Sequence, residues 1–361
     1  MEENLSNISP NPAPILTPEN KRRKFGRTEY IIISALVVVI GVLAVIFLPL
    51  FTEEAHADTI IRIPRNATRE MVADSVSKYL GEDFSSQVMK AAKLRGSDFS
   101  SRHGAYLIPE GTSAVKAEHT LSHGAQEPVT ITINGFRLIG NLAGRLERRL
   151  DFSAEEFMET VADESLMEEY GLNPEQALSL FIDDSYQVYW SGTPRDLIKK
   201  VGAHYKEVWN EERRKKAEDL GLTPADVMTI CSIVDEETNK IDEKGTVGRL
   251  YINRLQSGMK LQADPTVRYA VGDFTIKRVT GTHLKTESPF NTYLHAGVPP
   301  GPIRTTSVAT IDAVLNSEPH DYMYMCAKED FSGYHNFAAT YSEHLDNARR
   351  YQKALDELGI K

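Results

Sequence analysis

Between Tyr30 and Phe51 the chain reads YIIISALVVVIGVLAVIFLPLF, 22 residues without a charge. As a helix this run spans about 33 Å, enough to cross the hydrocarbon core of a bilayer. Lys21, Arg22, Arg23, Lys24 and Arg27 precede it, and Glu53, Glu54 and Asp58 follow. The basic side is expected to stay in the cytoplasm, which puts the C-terminal bulk outside. A cleaved signal peptide is the alternative, and Ala55-His56-Ala57 offers a small-x-small site. The run is longer than a signal core and follows a long tail, so an uncleaved anchor over 29–51 is expected. Residues 1–28 carry Pro10, Pro12, Pro14 and Pro18 among Asn and Ser, and read as a disordered cytoplasmic tail.

The remaining 300 or so residues have room for about two domains. A net charge of -10 leaves no basic surplus to replace counterions, so nucleic acid is not an expected partner. Two cysteines, Cys231 and Cys326, exclude a disulfide scaffold and a cysteine-built zinc site. One disulfide is possible; two reduced, buried thiols are the preferred reading.

Strands are predicted at Thr59–Pro64, within GAYLIPEGTS, at Pro128–Asn134 and near Ser185–Trp190. Helices are predicted at Ala67–Leu80, Ser85–Leu94, from an N-cap at Thr112 to His123, and near Leu138–Leu150, Ala154–Asp163 and Pro174–Phe181. One long charged helix is expected from Thr193 to Leu220, and an amphipathic helix closes the chain before Gly359. The unit from Thr59 to His123 is too small for an enzyme core and suits a recognition module. A second domain is expected to start at Pro128.

GLTPADVMTICSIVDEETNK opens with Thr223, Pro224 and Asp226, a strong helix start. It ends on three consecutive acids. Val227, Ile230, Cys231, Val234 and Ile241 define an apolar face, and Glu237 falls on it. Asp235 and Glu236 are expected on the wet face, Glu236 paired with Lys240. An inward carboxyl is costly to ionise and suits a general acid. A rim Glu satisfied by an Arg is the plain structural alternative. Farther on come LYINRLQSGMKLQADPTVRYAVG, whose LQADPTVRY part reads as extended, then SPFNTYLHAGVPPGPI, then YHNF. Amides and hydroxyls interleaved with aromatic rings are the usual lining of a sugar cleft.

These strings, from Ser232 to Phe337, resemble the endolytic murein transglycosylase family (MltG/YceG-like). Two departures are local. FIDDSY carries Asp183 where the family has Pro, and Phe290 stands where Tyr is usual. The resemblance implies an α+β chain: a single N-terminal transmembrane helix, a linker and small LysM-like module over 52–125, and a mixed α+β catalytic domain over 126–361. It implies cleavage of the MurNAc-β-1,4-GlcNAc bond within peptidoglycan strands, leaving 1,6-anhydro ends, with Glu237 as acid and then base. Gln262, Asp264, Tyr269, Asn291, Tyr293, His335 and Phe337 would contact the glycan. No metal or organic cofactor is implied, and membrane-bound peptidoglycan synthases are the implied partners. A lysozyme-like muramidase using Asp264 as second acid, or a non-catalytic wall-binding protein, are the alternatives.

Overall fold

The computed structural model describes residues 26–99 and 102–359, so most of the expected 1–28 tail lies outside the described residues. Helix α1, Arg27–Phe47, has no buried side chain. Pro49 then opens a separate turn of helix, α2, Pro49–Thr52. Among the described residues Arg27–Thr52 is the one helical run long and apolar enough to cross a membrane, which fits an anchor. The chain does not continue as a loose linker. Leu50 is buried, Ala55 N donates to Thr112 O at 3.0 Å, and Ala114 N donates to Glu53 O at 3.2 Å.

Two separate hydrophobic cores follow. The first belongs to β1 (Thr59–Ile63), α3 (Arg69–Leu80), α4 (Glu82–Arg95), β2 (Gly104–Ile108) and α5 (Ala114–His123). β1 and β2 pair antiparallel, Ile61 opposite Tyr106. Ile61, Val72, Val76, Phe84, Val88 and Leu121 fill the space between strands and helices. Ser113, not Thr112, is the N-cap of α5, because the Thr112 carbonyl is committed to Ala55. This unit is fixed to the next. Arg65 N donates to Asp151 Oδ2 at 2.8 Å, and His103 Nδ1 bonds Ser191 Oγ at 2.7 Å.

The larger core begins with β3 (Pro128–Ile133), then α6 (Ile139–Glu147), α7 (Ala154–Val161), α8 (Glu164–Glu168) and a 3₁₀ turn over Pro174–Leu180. β4 (Asp184–Tyr189) pairs antiparallel with β3. The expected single helix from Thr193 to Leu220 is two, α9 (Pro194–Val208) and α10 (Glu211–Asp219). Trp209 turns out of helical geometry to bury its ring, and the Asn210 side chain caps the new start by accepting from Arg213 N at 3.0 Å.

α11 (Pro224–Glu237) is the hub of this core. Its start is the expected capping box: Asp226 N donates to Thr223 Oγ1 at 3.1 Å, and Thr223 N to Asp226 Oδ2 at 2.9 Å. Every residue from Ala225 to Val234 except Asp226 is buried, so the helix has no wet face along this stretch. It stops at Glu237, and Ile241 is 76% exposed in a following 3₁₀ turn, so Ile241 is not part of the apolar face expected for it. α12 (Lys244–Gln256) and α14 (Val308–Leu315) pack beside it. Between them lies α13 (Asp264–Val271), where an extended segment was expected. Pro265 in its first turn and left-handed Gly272 at its end are the punctuation of a short helix. β5 (Tyr324–Ala327) and β6 (His335–Ala338) form a hairpin, covered by α15 (Tyr341–Glu357). Among the described residues the fold is thus mixed α+β, with three two-stranded antiparallel sheets and mostly helical layers.

Candidate active site

The three acids at the end of α11 meet three different environments. Asp235 accepts from Lys244 Nζ at 2.6 Å, Thr306 Oγ1 at 2.5 Å and Thr310 Oγ1 at 2.8 Å. Glu236 accepts from Arg137 Nε and Nη2, each at 2.8 Å, and from Arg304 Nη1 at 3.1 Å. Their side chains are only 7% and 8% exposed. The expected wet face is therefore absent, and Glu236 pairs with two arginines rather than Lys240. The reason is tertiary: Arg137 and Arg304 come from distant segments, and Lys244 from the start of the next helix, beyond the break that ends α11, so no helical spacing reveals them. Glu237 alone has no cation within salt-bridge distance among the described residues. The one hydrogen bond its carboxyl makes among the described residues is a neutral one, received by Oε1 from the Tyr251 hydroxyl at 2.7 Å.

Glu237 lies on an open cleft of about 960 Å³, counting space open to solvent. One wall is α12 and the turn into α13, giving Tyr251, Arg254, Gln262 and Asp264. Another is β5 and the start of β6, giving Tyr324, Cys326 and His335. Tyr293, Tyr341 and His344 complete the rim. Burial pushes the Glu237 carboxyl above the usual range; the Tyr251 bond opposes this, and the charge of Asp264 adds to it. Tyr293 donates to Asp264 Oδ1 at 2.7 Å. His335 Nδ1 is 2.9 Å from Glu243 Oε2, and its backbone N donates to Glu243 Oε1 at 2.7 Å. The buried Glu243 therefore holds His335 by one contact to its ring and one to its backbone.

Gln262 sits in left-handed backbone conformation with φ of 49°. Thr292 holds it there: Gln262 N donates to Thr292 O at 3.2 Å and Ala263 N to Thr292 Oγ1 at 3.0 Å. Arg254 Nη2 donates to Gln262 Oε1 at 2.9 Å. Such strain persists only where neighbours over-determine it. The Pro-Pro-Gly-Pro loop is fastened from α11 itself, as Ile303 N donates to Ser232 Oγ at 3.0 Å. Gly301 has no substitute there, since a Cβ would lie 2.2 Å from Glu175 O.

Of the expected contact residues, Gln262, Asp264, Tyr293 and His335 share the cleft with Glu237. Asn291 does not reach it. It is fully buried, and its amide donates to Leu284 O and Thr286 O at 3.0 and 2.8 Å, tying the loop together. Tyr269 packs against Phe290 at 4.7 Å, and Phe337 stacks on Tyr322 at 5.5 Å; neither lines the cleft. Tyr251, Arg254, Tyr324, Tyr341 and His344 were not singled out from sequence. Tyr251 and Arg254 lie one helical turn apart within LYINRLQ, a spacing that could have flagged them. Both cysteines are free; Cys231 is buried as expected, but Cys326 is half-buried in the cleft wall.

A family model described as the YceG-like family matches residues 61–350. This chain belongs to the YceG-like family. An endolytic murein transglycosylase of Bacillus subtilis (strain 168) is 31% identical over 161 residues, covering 45% of this chain and 42% of that protein. One from Streptococcus pneumoniae serotype 2 is 25% identical, covering 56% and 41%. The chain thus spans less than half the length of these curated relatives. A solved YceG-like protein of Listeria monocytogenes aligns with a TM-score of 0.53 at 22% identity, covering 80% of this chain and 98% of that one. That likeness shows the YceG-like fold.

Proposed function

We propose that this chain is an endolytic peptidoglycan lytic transglycosylase. The observation that carries the reading is the contrast at the end of α11: two acids neutralised by cations, and Glu237 left with a neutral donor in a cleft. Glu237 protonates the GlcNAc oxygen as the MurNAc-GlcNAc bond breaks. The resulting carboxylate then takes the proton of the muramyl 6-hydroxyl, whose oxygen closes the 1,6-anhydro ring. The nucleophile is part of the substrate, so no water is held in place and proximity favours the closure. The names of the relatives support the substrate class. Gln262, Asp264, Tyr293 and His335 orient the strand, and membrane-bound peptidoglycan synthases are its proposed neighbours.

The second reading is a muramidase with Asp264 as the far-side acid, favoured by its place in the same cleft. Mass analysis separates the two. Strands digested by the full chain should end in anhydro-muramic acid, one water lighter than a hydrolytic product. Reducing ends as the main product, lost in Asp264→Asn, would establish the muramidase instead.

The division into a small LysM-like module and a catalytic domain beginning near residue 126 is likewise proposed, supported by the two separate cores. The module holds glycan while the larger domain cuts it. The anchor is proposed to keep its N-terminus in the cytoplasm, with the cleft outside the cytoplasmic membrane. A phosphatase fused after Lys361 should then be active outside; activity confined to the cytoplasm would reverse the orientation.

A further inference from the structure

The Tyr251 hydroxyl is locked onto one oxygen of Glu237, and its partner oxygen is left free. Tyr251 is 1% exposed on α12 and donates to Oε1 at 2.7 Å. Among the described residues its hydroxyl has no other bonding partner, so its proton has one place to go. Oε2 receives no hydrogen bond from any described residue, and Glu237 lines the cleft. Resting on the glycan-cleaving reading, we infer that Tyr251 is a positioning residue that assigns the working proton to Oε2 and stabilises the carboxylate formed when that proton leaves.

The chemistry follows from donor and acceptor capacity. In the neutral acid, the oxygen that accepts from a phenol is the carbonyl oxygen, so the acid hydrogen resides on the other. One oxygen, Oε2, therefore gives the proton to the leaving group and later recovers one from the 6-hydroxyl. When the first transfer leaves Glu237 charged, the bond from Tyr251 becomes charge-assisted and strengthens. It is stronger in the transition state than in the ground state, which is the kind of interaction that raises kcat. Burial and the charge of Glu237 push the Tyr251 phenol well up, so it stays a donor throughout the working range. The other titratable and charged groups facing the pair are Asp264, His335 and Arg268 around Glu237, and Arg254 and Tyr293 near Tyr251.

The test is Tyr251→Phe in the full chain, carried in detergent. Removing the hydroxyl should lower kcat about 10- to 100-fold with KM within about twofold. The alkaline limb of the pH profile should move upward, because the neutral acid loses its competitor. A carbon-13 titration of Glu237 should move the same way. Unchanged limb and titration, or a loss confined to KM, would overturn the inference. Should the variant fold poorly, infrared difference spectra of the wild-type chain against Glu237→Gln still decide. The protonated Glu237 carbonyl should absorb at a hydrogen-bonded frequency, and a free-carbonyl frequency would overturn the inference. Failure of the wild-type chain to release anhydro products would sink the cleavage reading instead, while titration and spectra continue to test Tyr251.

Discussion

Glu237→Gln is expected to abolish turnover while the fold persists. Losing a general acid costs about 10²- to 10⁴-fold, and in the proposed mechanism one residue serves both proton transfers. Glutamine keeps the shape, and its amide oxygen still accepts from Tyr251. Stability supplies a second readout with a definite sign. Burial holds the folded-state pKa of Glu237 above its unfolded value. Its favourable contribution is therefore complete below the unfolded pKa and is lost as pH rises through the folded one. Around neutral pH the variant should melt at the same temperature as the wild type or above it. Equal rates of strand cleavage in the two proteins would sink the role of Glu237. The silent variant is also the reagent for the small module: it should sediment with sacculi, and removing Thr59–His123 should weaken that binding. Undiminished sedimentation would remove the holding role.

Asp235→Ala should instead strike stability. The Asp235 and Lys244 side chains are 7% and 17% exposed, and the carboxylate also accepts from two threonine hydroxyls. Removing one member of a buried ion pair leaves the other charge unsolvated, which typically costs 3–5 kcal/mol. Lys244 keeps its bond to Thr310 Oγ1 at 2.9 Å and some contact with water, so about 3 kcal/mol is expected. That corresponds to a fall in Tm of roughly 5–10 °C. Below the transition the folded fraction should still cleave, far faster than Glu237→Gln. A denaturant melt coinciding with wild type would show that the pair contributes nothing.

These two neighbours show where the sequence is legible. The start of α11 is written locally: Thr223, Pro224 and Asp226 cap it with groups three residues apart, and the structure has that bond pattern. The strands at Thr59, Pro128 and Asp184 are similarly visible from alternation and β-branching. The end of α11 is not local. Helical spacing sets the direction of a carboxylate but not what waits there, and Arg137 arrives from about a hundred residues away. The wet-face reading of Asp235 and Glu236 fails for that reason. The apolar spacing that points to Glu237 leans partly on Ile241, which is solvent-exposed. What distinguishes Glu237 in space is its neutral partner. Asn291 shows the same limit, since an amide suited to sugar hydroxyls is equally suited to two backbone carbonyls of its own loop.

The junction between the apolar helix and the first core has no slack. Leu50 is buried, and Glu53 to Ala55 are tied by backbone bonds to Gly111, Thr112 and Ala114. A flexible tether would let the body wander over a distance growing as about 5–6 Å times the square root of its length in residues. Here that freedom is missing, and Arg65 and His103 carry the rigidity onward to the larger domain. With the proposed anchor in a bilayer, sideways diffusion in the plane of the lipid becomes the main search left to the cleft. On the proposed reading the fold then sets the altitude of the cleft, and a glycan strand is selected first by how high it runs above the bilayer.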